Sequence, residues 1–209
     1  MTLEEILTSA PVMPVVTLDD PAKAVALARA LVAGGIRAIE VTMRTGAALE
    51  AVRAIARDVP EAIPGVGTVL TADHYDEAMQ AGARFAISPG TTPALLAAVA
   101  SGPIPYLPGV ATASELMACL EAGIHICKFF PAADAGGVSA LKSLGPPFPT
   151  ARFCPTGGID AASAAAYLAL PNVLCVGGSW VVPRDAIAAG DFARIEQLAR
   201  EAVALRRQS

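Results

Sequence analysis

Apolar residues in this chain fall into short runs separated by Ala-rich segments of helical spacing. The runs are Val12–Val16, Ala38–Val41, Ile63–Gly67, Phe85–Ser88, Tyr106–Gly109, His125–Phe129, Arg152–Thr156 and Leu174–Gly177. They recur at intervals of about 20 to 26 residues, the rhythm of strands alternating with helices. Between them, Pro21–Ala33, Ala47–Arg57, Ala72–Ala81, Pro93–Ala100 and Ser114–Ala122 read as amphipathic helices. Alternation of this kind predicts right-handed βαβ units and a parallel sheet. Eight strands predict one α/β domain over residues 1–209, a (β/α)8 TIM barrel with N-terminal and C-terminal outer helices. The last helix is expected over Phe192–Arg207. An open doubly wound sheet is the competing architecture. The glycines after Ala33, Ala81 and Ala122 predict helix C-terminal caps, and Thr71 and Ser114 predict N-caps.

Composition sharpens this picture. Apolar residues make up 54% and charged residues 16% of 209, the balance a largely buried parallel sheet produces. A formal charge of −4 without a basic run excludes a nucleic-acid footprint. Met1–Ser9 carries two glutamates and no basic stretch, and no apolar stretch reaches membrane-spanning length, so neither a secretory leader nor a membrane is expected. Four cysteines lack C-x-x-C spacing and read as buried thiols. Two histidines, His74 and His125, lie far apart, so a His-rich metal site is not expected.

Polar residues gather where predicted strands end, which in a barrel is the catalytic face. Lys128 stands in the apolar run Ile126-Cys-Lys-Phe-Phe130 and is one of only three lysines. A charged ammonium costs several kcal/mol to bury, so it finds a partner or gives up its proton, and a neutral lysine attacks carbonyl carbon. The bland alternative is a solvent-facing strand lysine. Glu40 is the one acidic residue of 19 inside a strand run. It reads as a general base or as an ion-pair partner for Lys128 or Arg44, and the two roles are compatible. Arg44, in the loop after the second strand, offers a planar fork to a carboxylate or is an exposed loop residue. Thr156-Gly-Gly-Ile-Asp160 and Gly177-Gly-Ser179 follow the last two strands, where converging N–H groups favour a phosphate.

As a set, these segments resemble one family. Ile39-Glu-Val-Thr-Met-Arg-Thr45, Gly65-Val-Gly-Thr-Val-Leu70, Phe85-Ala-Ile-Ser-Pro-Gly90, Lys128-Phe-Phe-Pro-Ala132, Phe153-Cys-Pro-Thr-Gly-Gly-Ile159 and Val176-Gly-Gly-Ser-Trp180 are similar to the motifs of bacterial 2-keto-3-deoxy-6-phosphogluconate (KDPG) aldolases, whose members often also cleave 4-hydroxy-2-oxoglutarate (KHG). The resemblance implies a class I lyase of the Entner–Doudoroff pathway, cytoplasmic and homotrimeric, needing no cofactor or metal. It implies Lys128 as the Schiff-base nucleophile, Glu40 as the proton shuttle, and Arg44 and Thr68 as the grip on the pyruvyl carboxylate beside Pro89. Thr156 would read hydroxyl stereochemistry, and Gly157, Gly158 and Ser179 would hold phosphate. Its partners would be the keto-acid sugar phosphate and pyruvate. Val66 departs from the alanine many relatives carry; its extra bulk is one way to narrow the barrel, although a β-branched residue suits a strand. Arg44 and Thr156 favour the gluconate over the 6-phosphogalactonate epimer, whose aldolases share the fold. Rival readings are a metal-dependent lyase and a non-enzymatic phosphosugar-binding barrel.

Overall fold

The computed structural model describes residues 1–205, so Arg206 and Arg207 of the expected tail helix lie outside the described residues. The first half of the chain runs α1 (Leu3–Leu7), β1 (Val12–Val16), a 3-10 turn at Pro21–Lys23, α2 (Ala24–Ala33), β2 (Ala38–Thr42), α3 (Ala48–Asp58), β3 (Ile63–Gly67), α4 (Ala72–Gln80), β4 (Phe85–Ile87) and α5 (Pro93–Val99). The second half runs β5 (Tyr106–Leu107), β6 (Gly109–Val110), α6 (Ala113–Glu121), β7 (Ile126–Phe129), α7 (Gly137–Leu144), β8 (Arg152–Pro155), α8 (Ala161–Leu168), β9 (Val176–Gly178), α9 (Arg184–Ala189) and α10 (Phe192–Val203). Every strand pair is parallel, as the βαβ rhythm predicts.

Among the described residues the strands form two ladders, β5-β4-β3-β2-β1-β9 and β6-β7-β8, rather than one unbroken ring. The break on one side is covalent chemistry. The expected strand Tyr106–Gly109 is divided at Pro108, which has no N–H to give to a ladder. On the other side two isolated parallel bridges span the gap, Phe153 of β8 with Val173 ahead of β9 and Thr156 just past β8 with Gly177 of β9.

Buried apolar side chains sort into two clusters, and strand alternation explains the division. One holds Met13, Ala38, Ile63, Phe85, Ile87, Leu107 and Cys154 from the strands, with Ile6 and Leu7 from α1 and nothing from the other helices. It fills the space that the curled sheet encloses, and α1 closes one end of it. The other cluster pairs the opposite strand faces, such as Ile39, Val41, Cys127 and Phe129, with the helices outside. Val66 belongs to this outer layer. Its β-branched side chain therefore packs toward the helices, as suits a strand residue, and does not narrow the interior.

Helix ends follow local chemistry. Gly35, Gly82 and Gly123 have φ of +94°, +86° and +77°, the left-handed conformation expected of C-terminal caps. Thr71 caps α4 by accepting from the His74 amide at 3.2 Å. The cap of α6 is Thr112 and not Ser114, because Thr112 and Glu115 close a reciprocal capping box. Among the described residues, no helix is long and apolar enough to cross a membrane.

Candidate active site

Period-two alternation from the inward residues Ala38 and Ile63 carries Glu40 and Thr42 of β2, and Gly65 and Gly67 of β3, to the inside. On β7, Cys127 and Phe129 pack outward, so Lys128 points inward. The two charged residues meet there: Lys128 Nζ donates to Glu40 Oε1 at 3.2 Å. Lys128 is 3% exposed and Glu40 1%, and theirs is the one ion pair among the described residues with both partners buried. Of the two partners open to Glu40 from sequence, the structure selects Lys128, while Arg44 stands exposed at the end of β2. The Lys128 ammonium also lies 5.2 Å from the centroid of the Phe130 ring, within cation–π range.

The pair exists because a neighbouring backbone gives way. A Cβ built on Gly67 would overlap the Glu40 carboxylate, so only glycine leaves room for it beside Lys128. The next residue, Thr68, has φ of +64°, a left-handed conformation costing of order 1–3 kcal/mol for a non-glycine residue and characteristic of ligand clamps. Thr156, 6% exposed, repeats this arrangement, since a Cβ on Gly177 would overlap its hydroxyl. Its neighbour Cys154 faces Lys128 across the β7–β8 pairing. Gly157 and Gly158 follow with φ of +101° and +70°, turning the chain into α8, and Ser179 is exposed just past β9.

Pro89 is seated by a contact that sequence reasoning missed. Ser88, fully buried, shares a 2.6 Å hydrogen bond with the Tyr106 hydroxyl. It also accepts from the Gly109 amide at 3.3 Å, supplying a side-chain bond where Pro108 interrupts the ladder. A Cβ on Gly109 would collide with the Pro89 backbone, and Gly109 is the residue paired with Lys128. The seam thus fixes Pro89 one strand away from the lysine. Burial raises the Tyr106 hydroxyl above the usual phenol value, so it remains a hydrogen-bond donor at neutral pH. On the outer face of the Lys128 strand, the Cys119 sulfur and burial push the Cys127 thiol far up, which leaves Cys127 protonated and inert.

Two hydroxyls near Glu40 were missed as well. Thr42 is fully buried and donates to the Val16 carbonyl at 3.0 Å, and Thr17 lies 3.1 Å from it. Thr42 was findable, because it stands two residues from Glu40 on the same strand face. Thr45 donates to the Leu18 carbonyl and ties the β2 loop, with Arg44 in it, to the end of β1. Among the described residues, no three His, Cys, Asp or Glu side chains gather closely enough to hold a metal ion.

A buried amine against a carboxylate in a greasy enclosure can attack a ketone and shuttle the protons that follow. Comparison with known proteins points the same way. The family model described as KDPG and KHG aldolase matches residues 3–198. A KHG/KDPG aldolase of Escherichia coli K12 is 56% identical over 200 residues, covering 96% of this chain and 94% of that protein. Among solved structures, a KDPG aldolase from Legionella pneumophila, with pyruvate captured as a covalent carbinolamine intermediate, superposes with a TM-score of 0.95 at 44% identity, over 97% of this chain and 98% of that one. A 2-keto-3-deoxy-6-phosphogluconate aldolase of Zymomonas mobilis with 3-phosphoglycerate gives 0.93 at 48% identity, over 98% and 96%.

Proposed function

The chain belongs to the KDPG and KHG aldolase family, and from that premise we propose how its own residues cleave 2-dehydro-3-deoxy-6-phosphogluconate to pyruvate and glyceraldehyde 3-phosphate. Neutral Lys128 attacks the C2 ketone, and the proton that Glu40 received from it leaves with the carbinolamine hydroxyl as water, giving an iminium ion that accepts electrons and restoring the Glu40 carboxylate. Glu40, through a water, takes the C4 hydroxyl proton. The C3–C4 bond breaks, its electron pair passes into the iminium to form an enamine, and glyceraldehyde 3-phosphate leaves. Glu40 returns its proton to C3, and hydrolysis frees pyruvate and Lys128.

The observation that carries this reading is the 3.2 Å contact between buried Lys128 and Glu40. Moving one proton along it converts an ammonium–carboxylate pair into a free amine and a carboxylic acid, so nucleophile and acid are generated together. Arg44 and Thr68 grip the pyruvyl carboxylate beside Pro89, Thr156 reads the hydroxyl at the cleaved bond, and Gly157, Gly158 and Ser179 hold the phosphate. Fixing both ends of the substrate spends remote binding energy on orienting the reacting bond. The glycines support the phosphate role because their turn leads into the N-terminus of α8.

The same reading includes 4-hydroxy-2-oxoglutarate as a second substrate, a single closed (β/α)8 domain, a homotrimer and a cytoplasmic setting. Closure is supported by where the ladders part: at Pro108 the chain itself continues, and at β8–β9 isolated bridges span the gap. The test is pyruvate plus borohydride followed by peptide mass spectrometry. Reduced pyruvyl mass on the Lys128 peptide is expected, together with loss of cleavage in Lys128→Ala. Labelling of Lys23 or Lys142 instead would refute the assignment.

A further inference from the structure

The hydroxyl chain at the mouth of the site is directional. Thr42 spends its single proton on the Val16 carbonyl at 3.0 Å, and a carbonyl can only accept. Toward Thr17, at 3.1 Å, Thr42 therefore has only lone pairs to offer. With the Thr42 proton on the Val16 carbonyl, Thr17 is the donor to Thr42 and keeps acceptor capacity on its own Oγ1.

Thr17 is half-buried and inward-facing, by alternation from Met13 of β1 and by its contact with Thr42. Val15 pairs with Glu40 on one side, so Thr17 stands one pleat above the catalytic carboxylate. On the other side Pro14 pairs with Gly178, which brings Val15 level with Ser179. Thr17 thus occupies the wall between the carboxylate that works on the C4 hydroxyl and the strand end assigned to phosphate.

We propose that Thr17 is a specificity-determining residue that accepts a hydrogen bond from the substrate hydroxyl between the cleaved bond and the phosphate, the C5 hydroxyl of a sugar-acid phosphate. The proposal rests on the aldolase reading above and adds a selectivity to it. A substrate hydroxyl has a proton to give to Thr17. 4-Hydroxy-2-oxoglutarate carries a carboxylate at the corresponding carbon, which is itself acceptor-only at neutral pH and gains nothing from a lone pair. The Thr17–Thr42 chain therefore favours the polyol phosphate over the dicarboxylate.

The test is the ratio of kcat/KM on the two substrates, measured on one preparation so that the folded fraction cancels. Thr17→Val keeps the branched shape and removes the acceptor, and should lower the ratio about tenfold, the loss of one net hydrogen bond. Thr17→Ser keeps the hydroxyl and should leave the ratio within about twofold of wild type. Equal losses on both substrates, an unchanged ratio in Thr17→Val, or an equally altered ratio in Thr17→Ser would each overturn the role. If the wild-type protein cleaves neither substrate, the aldolase reading itself falls. A wild type that cleaves both with an indifferent Thr17→Val removes this proposal alone.

Discussion

At Gly67 a missing side chain decides where the Glu40 carboxylate stands. The space a Cβ would take is already filled by the Glu40 carboxylate that Lys128 holds. A methyl group there meets the mobile end of a flexible side chain and not backbone, so the fold can absorb it while the carboxylate cannot stay. Gly67→Ala should therefore leave a folded protein whose kcat is reduced about a hundredfold, the scale a displacement near 1 Å at a reacting group produces. Steady-state cleavage assays with circular dichroism on the same samples check it, and wild-type kcat would show that Glu40 need not stand there. Lys128 and Glu40 were legible as single residues because a charge in an apolar run is conspicuous. Their contact was not, since 88 residues separate them and no local pattern reports which inward side chains meet across a sheet. Thr17, 25 residues from Thr42, escaped notice for the same reason, since a threonine after a strand is ordinary until its neighbour is known.

Strands were legible to within about two residues at each end, because β-branched apolar runs between glycine and proline signals are what parallel strands require. The helices after Lys128 were harder: α7, α8 and α9 span eight, eight and six residues, and the Ala-rich stretch of α8 offers little apolar–polar contrast to mark a helical period. The opening of α8 is nonetheless encoded by a cap. Asp160 accepts from the Ser163 amide at 2.8 Å, and hydrogen bonds from Ser163 and from the Ala162 amide hold its carboxyl below the ordinary aspartate value. A carboxyl whose folded pKa is depressed stabilises above its unfolded value, and that contribution fades as pH falls through the folded one. Asp160→Ala should thus melt below wild type at pH 7, and the gap should close as pH drops below about 3.9. Thermal unfolding across that range measures it, and a pH-independent gap would mean that the cap works without its charge. Because the cap steadies the turn after Gly157 and Gly158, the same variant reports on how far the phosphate binding proposed there depends on the order of α8.

The whole molecule separates chemistry from stability along the axis of its curled sheet. Thr68 and Thr156 lie just past the C-terminal ends of β3 and β8, with Lys128 and Glu40 inside β7 and β2, whereas Ile6 and Leu7 of α1, each 1% exposed, close the interior cluster. The cap at Thr2, in a capping box with Glu5, sets this short helix in place although five residues give it little helical stability of their own. Its anchorage must come from the apolar contacts it plugs. Truncation of Leu7 to Ala opens a cavity against the interior cluster and should cost about 2–5 kcal/mol of folding stability, read by urea denaturation. Because Leu7 packs within the apolar interior cluster, kcat for the surviving folded protein should stay within about twofold of wild type. The opposite result, a fall in kcat at unchanged stability, would show that α1 reaches the chemistry through the interior layers. A curled sheet divided in this way tolerates change at one end without retuning the other. That division is why an ammonium can be kept in the interior at all: the layers beneath it contribute the burial that offsets its desolvation.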